Sequence, residues 1–475
     1  MKILRHILAA LVLAVTVAAG AAGHPKREFR GAWLHTVYQD GYMKRGTAGN
    51  KAYLRSLLDS LQTAGVNAVF FQVRPQADAF YKSDIEPWSR YLTTNGQAPR
   101  PYWDPLQFMI DECHARGMEL HAWLNPYRVT AGAKQVPAAG HVYHKHPERF
   151  VTYGGKIYFD PGLPENREYI VKIVDDIVNR YDVDGIHFDD YFYPYPVKGQ
   201  EFPDARSFKR YGGKMERDDW RRANVDSLIA GVHRHIRASR RPWVRFGVSP
   251  FGIWRNASSD PRGSATSGLQ NYDGLYADVL LWARNGWVDY LMPQLYWELD
   301  HQAAGYRVLV DWWADNAEGR HVYVGQDVER CVKAGELDEK LSLQRQREEL
   351  GGMCWWPGYA LPGRNEFCQP AAALPPSYPW IGSRGPQTPQ RVRLADGRLQ
   401  WDSPEPSGRS EDAVRFVVYY SAKSEPDVND AENIAIVTPD HYYNASRPGY
   451  YRVTALDRVN NESAPSDAVR VKTTR

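Results

Sequence analysis

The sequence predicts an α/β protein: a (β/α)8 TIM barrel followed by a small all-β immunoglobulin-like sandwich. Three observations carry this prediction. Between Phe29 and about Tyr359, eight short apolar runs alternate with longer amphipathic stretches. Nearly every run ends in polar or aromatic side chains. Beyond a Pro-rich stretch the hydrophobic period drops to two. A doubly wound open sheet would also alternate, but eight repeats with polar strand ends favour closure.

The chain begins with Lys2 and Arg5 before an apolar run over 7–19 and then small residues up to Gly23. That is the pattern of a secretory signal peptide over 1–23, too short and too quickly broken for a spanning helix. The expected mature chain is therefore exported, periplasmic or extracellular, with no integral membrane segment.

The barrel is expected over 27–375, with strands at 29–36, 68–74, 119–125, 185–189, 245–250, 290–296, 322–326 and 352–356. Amphipathic stretches at 53–64, 105–116, 166–181, 220–237, 276–285, 304–316 and 337–350 supply the helices, and Gly65, Gly117 and Gly286 follow three of them as C-caps. The loops after the second and third strands are long and rich in Pro, Trp and Tyr, as walls of a cleft would be. Residues 376–388 read as a linker. Over 389–475, short period-two strands include one around Trp401 and another around Tyr451.

Composition narrows the partner. The chain has 16 Trp and 30 Tyr, and aromatic faces both fill cores and stack on sugar rings. Net charge is +3, and no Lys/Arg run is interleaved with aromatics, which argues against nucleic acid. The expected partner is an oligo- or polysaccharide. The cysteines Cys113, Cys331, Cys354 and Cys368 are too few for a disulfide scaffold. Cys113 reads as a core residue, and a pair between Cys354 and either Cys368 or Cys331 stays open. The segment 141–146 reads as a loop. No Cys/His set has zinc spacing, and neither a metal nor another cofactor is expected.

The most informative stretch runs from Gly185 through His187, Asp189, Asp190 and Tyr191 to Pro194. Acids where a buried strand stops sit at its carboxyl end, where barrels keep their chemistry. Within a buried strand, two unpaired acids would cost several kcal/mol, on the order of the penalty for burying polar groups. A helix cap or a buried ion pair is the bland alternative.

The other strand ends offer a sugar-gripping set: Trp33, Gln72, Arg74, Trp123, Asn125, Gln294, Tyr296, Trp297, Asp327 and Trp356. Glycoside hydrolysis needs two carboxyl groups across the scissile bond. Asp189 with Glu298 is the expected pair. Asp189 would be nucleophile or base, held ionised by Arg74 or by hydrogen bonds. Glu298, beside Trp297, would be the acid, unless it merely caps the next helix. Asp190 is a further catalytic candidate, although adjacent acids should diverge. Arg74 could instead pair with Asp78, and Asp327 with Arg330.

These motifs resemble the glycosyl hydrolase-like 10 family of exported bacterial proteins. They run from Phe29 to Trp33, Phe71 to Pro75, His121 to Arg128, Asp184 to Tyr191, and Met292 to Trp297. The resemblance implies a TIM barrel and glycosidase activity on bacterial or complex glycans, with peptidoglycan strands as the substrate in view. The tail more weakly resembles a fibronectin type III module, with Tyr451 as its corner tyrosine. Asp184-Gly185-x-x-x-Asp189 also resembles the fourth-strand motif of α-amylase-type and α-galactosidase-type barrels, which implies Asp189 as nucleophile, and it resembles the Asp-Gly-x-Asp-x-Asp-x-Glu motif of chitinase-type barrels. There His187 stands in place of an inner Asp and Tyr191 in place of the acid Glu, which counts against a substrate-assisted chitinase mechanism. The competing reading is a non-catalytic glycan-binding barrel. A metal-dependent hydrolase using His187, Asp189 and Asp190 is a third.

Overall fold

A computed structural model describes residues 24–472 of the protein. The signal peptide expected over 1–23 lies outside the described residues. The strands in chain order are β1 (Phe29–Leu34), β2 (Ala68–Arg74), β3 (Glu119–Leu124), an inserted hairpin of β4 (Phe150–Tyr153) and β5 (Lys156–Phe159), β6 (Gly185–Phe188), β7 (Arg245–Val248), β8 (Tyr290–Leu291), β9 (His321–Asp327) and β10 (Leu350–Trp356). Without the hairpin, these eight close into a parallel barrel in the order β1-β10-β9-β8-β7-β6-β3-β2. Helices alternate with the strands, as their sequences dictate. The helix Pro105–Ala115 starts where the Asp104 carboxylate accepts the N–H groups of Leu106 and Gln107 and Pro105 takes the first turn.

Inward side chains fill the barrel in layers. Along β3 they are Glu119, His121 and Trp123, so one strand samples the bottom, the middle and the top. The middle layer is aromatic. The Tyr290 hydroxyl lies 3.0 Å from His121 Nδ1 and 3.2 Å from His187 Nδ1, and Trp33 Nε1 donates to His187 Nε2 at 3.1 Å. Glycines make room for these rings. A Cβ on Gly185 would lie 2.3 Å from His121 Nδ1, and one on Gly247 would lie 2.1 Å from the Tyr290 ring. Burial, then the neighbouring His121, hold the His187 imidazole well below its usual pKa and hence neutral.

The C-terminal region forms β11 (Gln390–Ala395), β12 (Arg398–Asp402), β13 (Arg415–Ser421), β14 (Ile434–Thr438), β15 (Tyr442–Tyr443), β16 (Gly449–Leu456) and β17 (Val469–Val471). These make a sheet of order β11-β12-β15 and another of order β14-β13-β16-β17. Trp401 from the first and Phe416, Tyr451 and Val453 from the second share one core. This region docks on the amino-terminal end of the barrel. Asn460 Nδ2 donates to Glu119 Oε1 at 2.9 Å, Arg415 reaches the same oxygen at 3.3 Å, and Arg245 Nη1 donates to the Arg458 carbonyl at 2.5 Å.

Several expectations need correction. The segment 376–388 is no free linker over its first half: Tyr378 is fully buried with its hydroxyl 2.8 Å from that of Tyr323, and Trp380 donates to Asp289 at 2.9 Å. The strand expected at 290–296 is regular only over Tyr290–Leu291: Pro293 has no N–H to donate, and pairing resumes only as isolated bridges at Gln294. The segment 141–146 contains the helical turn Val142–Lys145, started by His141 Nδ1 accepting the Tyr143 N–H. The first barrel helix begins at Gly41, kinked at Gly46 with φ 64°, well before residue 53. All four cysteines are free thiols, with Cys113 buried as expected. Among the described residues, no helix is long and apolar enough to cross a membrane.

Candidate active site

At the carboxyl end of the barrel lies a pocket of about 520 Å³, lined by Trp33, Trp123, Asp189, Asp190, Tyr191, Ser249, Gln294, Tyr296 and Trp356. Each wall residue lies at or just past the end of a barrel strand, so the strand ends alone bring it together. Asp189 and Asp190 follow β6 directly and are the only carboxylates of the lining.

Asp189 is held by donors from β3 and the loop after it. Trp123 Nε1 donates to Oδ2 at 3.1 Å, while Asn125 Nδ2 lies 3.1 Å from Oδ1 and 3.0 Å from Oδ2. Asn125 is itself fixed: its Oδ1 accepts the Arg128 N–H at 2.9 Å, and its carbonyl accepts from Arg74 Nη1 at 2.6 Å. Burial raises the Asp189 pKa, against the opposing Arg128 charge and the Trp123, Asn125 and Tyr191 hydrogen bonds. Arg128 in turn lies 5.4 Å from the Tyr191 ring centre.

Asp190 is the more strongly perturbed acid. Burial first, and the Asp189 charge second, push it up to about 7, although hydrogen bonds from Tyr195 and Gln294 pull the other way. Tyr195 donates a short hydrogen bond to Oδ2. Burial raises both acids, and Asp190 is the one that reaches about 7, while Asp189 is the one gripped by fixed donors. Near neutrality Asp190 can give a proton and take it back.

Not every residue picked from the sequence reaches this pocket. Trp33, Trp123, Asp189, Asp190, Tyr191, Gln294, Tyr296 and Trp356 line it, and Asn125 supports it from beneath. His187 does not: it is wholly buried in the middle layer with both ring nitrogens engaged. Gln72 is also wholly buried, its Oε1 accepting the N–H groups of Thr36 and Val37. Arg74 pairs with neither Asp189 nor Asp78 but with Glu86, at 2.7 and 2.8 Å. It acts on the site only through the Asn125 and Pro126 carbonyls that it clamps.

Asp327 caps the helix Val328–Ala334 by accepting the Arg330 N–H at 2.9 Å. Glu298 is exposed and lies outside the pocket lining, so it does not face Asp189 across that space. Trp297 packs on Phe251, ring centres 5.4 Å apart, outside the pocket lining. Both follow β8 in the chain, but Tyr296 is the last residue of that segment in the pocket lining. Tyr195 was missed; its only signal was an aromatic one turn past two acids, within a Pro-Tyr-Pro run. Among the described residues no group of three His, Cys, Asp or Glu is placed to hold a metal ion.

Residues 28–342 match the family described as Glycosyl hydrolase-like 10. "Glycosyl hydrolase YngK" of Bacillus subtilis (strain 168) is 36% identical over 505 aligned residues, covering 97% of this chain and 96% of that protein. "Glycosyl hydrolase DigH" of Escherichia coli (strain K12) is 46% identical over 309 residues, 60% of this chain and 69% of that one. Among solved structures, the PgaB (BpsB) glycoside hydrolase domain from Bordetella bronchiseptica aligns with TM-score 0.48 at 12% identity, covering 71% of this chain and 96% of that domain.

Proposed function

The chain belongs to the glycosyl hydrolase-like 10 family, and from that premise we propose that it is an exported glycoside hydrolase that cleaves glycosidic bonds in a bacterial or complex polysaccharide, with peptidoglycan glycan strands as the substrate in view. The observation that carries this reading is the buried pair Asp189 and Asp190 in one aromatic-walled pocket, with Asp190 still protonated close to neutrality. Trp33, Trp123, Trp356, Tyr191 and Tyr296 offer ring faces and edges to a sugar. Asp190 protonates the leaving oxygen. Asp189, fixed by Trp123 and Asn125, faces the sugar that develops positive charge. The chain is read as periplasmic or extracellular on its N-terminal segment. Its C-terminal region is read as fibronectin type III-like, supported by the Tyr451 hydroxyl donating to the Arg447 carbonyl at 2.7 Å.

The test is reducing-end release from a panel of glycans, including peptide-free peptidoglycan strands, by the wild type and by Asp189→Asn and Asp190→Asn. Cleavage by the wild type with both variants about 10²- to 10⁴-fold slower supports the reading. Binding without cleavage by the wild type would instead favour a glycan-binding barrel.

A further inference from the structure

We infer that the chain acts on glycosides of 2-acetamido sugars and uses the substrate's own acetamido carbonyl as the attacking group; this rests on the glycoside hydrolase reading above. A glycosidase with its own nucleophile or activated water needs carboxyl groups about 5–5.5 Å or about 6.5–9.5 Å apart, flanking the bond. Here the only two carboxylates of the pocket are consecutive residues leaving one strand. The remaining walls present Trp33 from β1, Ser249 after β7, Gln294 and Tyr296 after β8, and Trp356 from β10. None of these is an acid. The pocket thus supplies a proton donor and an oriented acceptor on one side, and no carboxylate to attack from the other.

An acetamido group on C2 fills that gap, because its carbonyl oxygen reaches C1 intramolecularly with a large entropic advantage. Asp189 is suited to hold it. A carboxyl group offers several acceptor lone pairs, and Trp123 and Asn125 make three contacts with that of Asp189. Those donors fix its plane while it lines the pocket, so it can accept the acetamide N–H and aim the carbonyl. Tyr191 stands where the chitinase-type motif has its acid, so this reading gives the acid role to Asp190, one residue earlier in the chain.

The steps balance. The acetamido oxygen attacks C1, the C1–O bond to the leaving sugar breaks, and the leaving oxygen takes the Asp190 proton. The resulting oxazolinium keeps its N–H on Asp189. A water then gives a proton to the Asp190 carboxylate and adds to C1, and the bond between C1 and the acetamido oxygen breaks, its electrons returning to that oxygen to restore the acetamido carbonyl. Asp190 ends protonated, and the anomeric configuration is retained.

The experiment uses wild-type protein with peptide-free peptidoglycan strands, the same strands after chemical de-N-acetylation, and strands whose N-acetyl groups carry one, two or three fluorines. The expected result is a loss of kcat of about 100-fold or more on de-N-acetylation, a stepwise fall with each fluorine, and a retained anomer by NMR. A fluorine series matters because mere binding of the acetamide would not make kcat track carbonyl nucleophilicity. Comparable kcat on all forms, or an inverted product, overturns this inference and leaves the glycosidase reading standing. No cleavage of any glycan overturns both.

Discussion

The two ends of the barrel both bury carboxylates, yet they treat them in opposite ways. At the amino-terminal end burial pushes Glu119 up, but Arg245 at 2.6 Å, the His121 hydrogen bond and Arg415 outweigh it and hold the carboxyl at about 2. Asp184 nearby is likewise held well below the usual range: burial opposes, and His114, then Arg245 and Arg415, prevail. At the carboxyl end burial wins, and Asp190 stands at about 7 with another acid, not a cation, beside it. The difference is one of partners. Acids in direct ion pairs with arginines hold structure together, whereas acids held by hydrogen bonds, with Arg128 acting only as a nearby charge on Asp189, are available for proton transfer. Along β3 the change takes three inward residues, from Glu119 through His121 to Trp123.

The comparison breaks if the two ends prove interchangeable, and the largest expected effect tests it first. Asp190→Asn should slow turnover by about 10²- to 10⁴-fold while leaving the thermal midpoint unchanged or higher. The sign follows from linkage: a carboxyl raised to about 7 in the folded chain, against about 3.9 unfolded, loses stability as pH climbs between those values. Removing it should therefore stabilise the protein most above pH 7, as denaturant titration at two pH values would read.

Glu119→Ala should do the reverse. It leaves buried Arg245 without its carboxylate and should cost about 3–5 kcal/mol of stability, with turnover per folded molecule little changed. A variant that folds normally and loses activity would remove the distinction between the two ends. The Glu119 contribution is present above its unfolded value near 4.3 and is lost as pH falls toward about 2, opposite in direction to Asp190.

Smaller effects sharpen the upper end. Trp123→Phe removes a donor to the Asp189 carboxylate and should lower kcat by about 10-fold or more, the usual worth of a hydrogen bond to a charged group. Activity of the wild type should fall as pH rises through about 7, where Asp190 loses its proton. Tyr195→Phe removes a donor that favours the ionised form, so that basic limb should move to higher pH with a modest change in rate.

Much of the barrel was legible in the sequence because it depends on local pattern. The strand β2 falls at 68–74 as expected, and seven helical stretches overlap observed helices. Strand ends were less legible: Asp189, Gln294 and Trp356 reach the pocket, whereas His187 points one layer too deep and Gln72 turns to the N–H groups of Thr36 and Val37. Which layer a side chain occupies depends on strand stagger around the closed barrel, and that stagger is non-local. Glu298 failed for a related reason: β8 stops at Leu291, and of the segment after it only Gln294 and Tyr296 reach the pocket lining.

The sequence alone determined the alternation that closes a barrel, the acids at the end of β6 and the family to which the chain belongs. These rest on hydrophobic period and on residue types in a short window. Tertiary structure decided that Arg74 serves Glu86, that Asp327 caps a helix and that Tyr195 reaches Asp190. It also decided which carboxylate keeps its proton, because a pKa is set by every charge and surface packed around the group. Those neighbours come from separate stretches of the chain: Trp123, Asn125 and Arg128 from one, Tyr191 and Tyr195 from a second, Gln294 from a third.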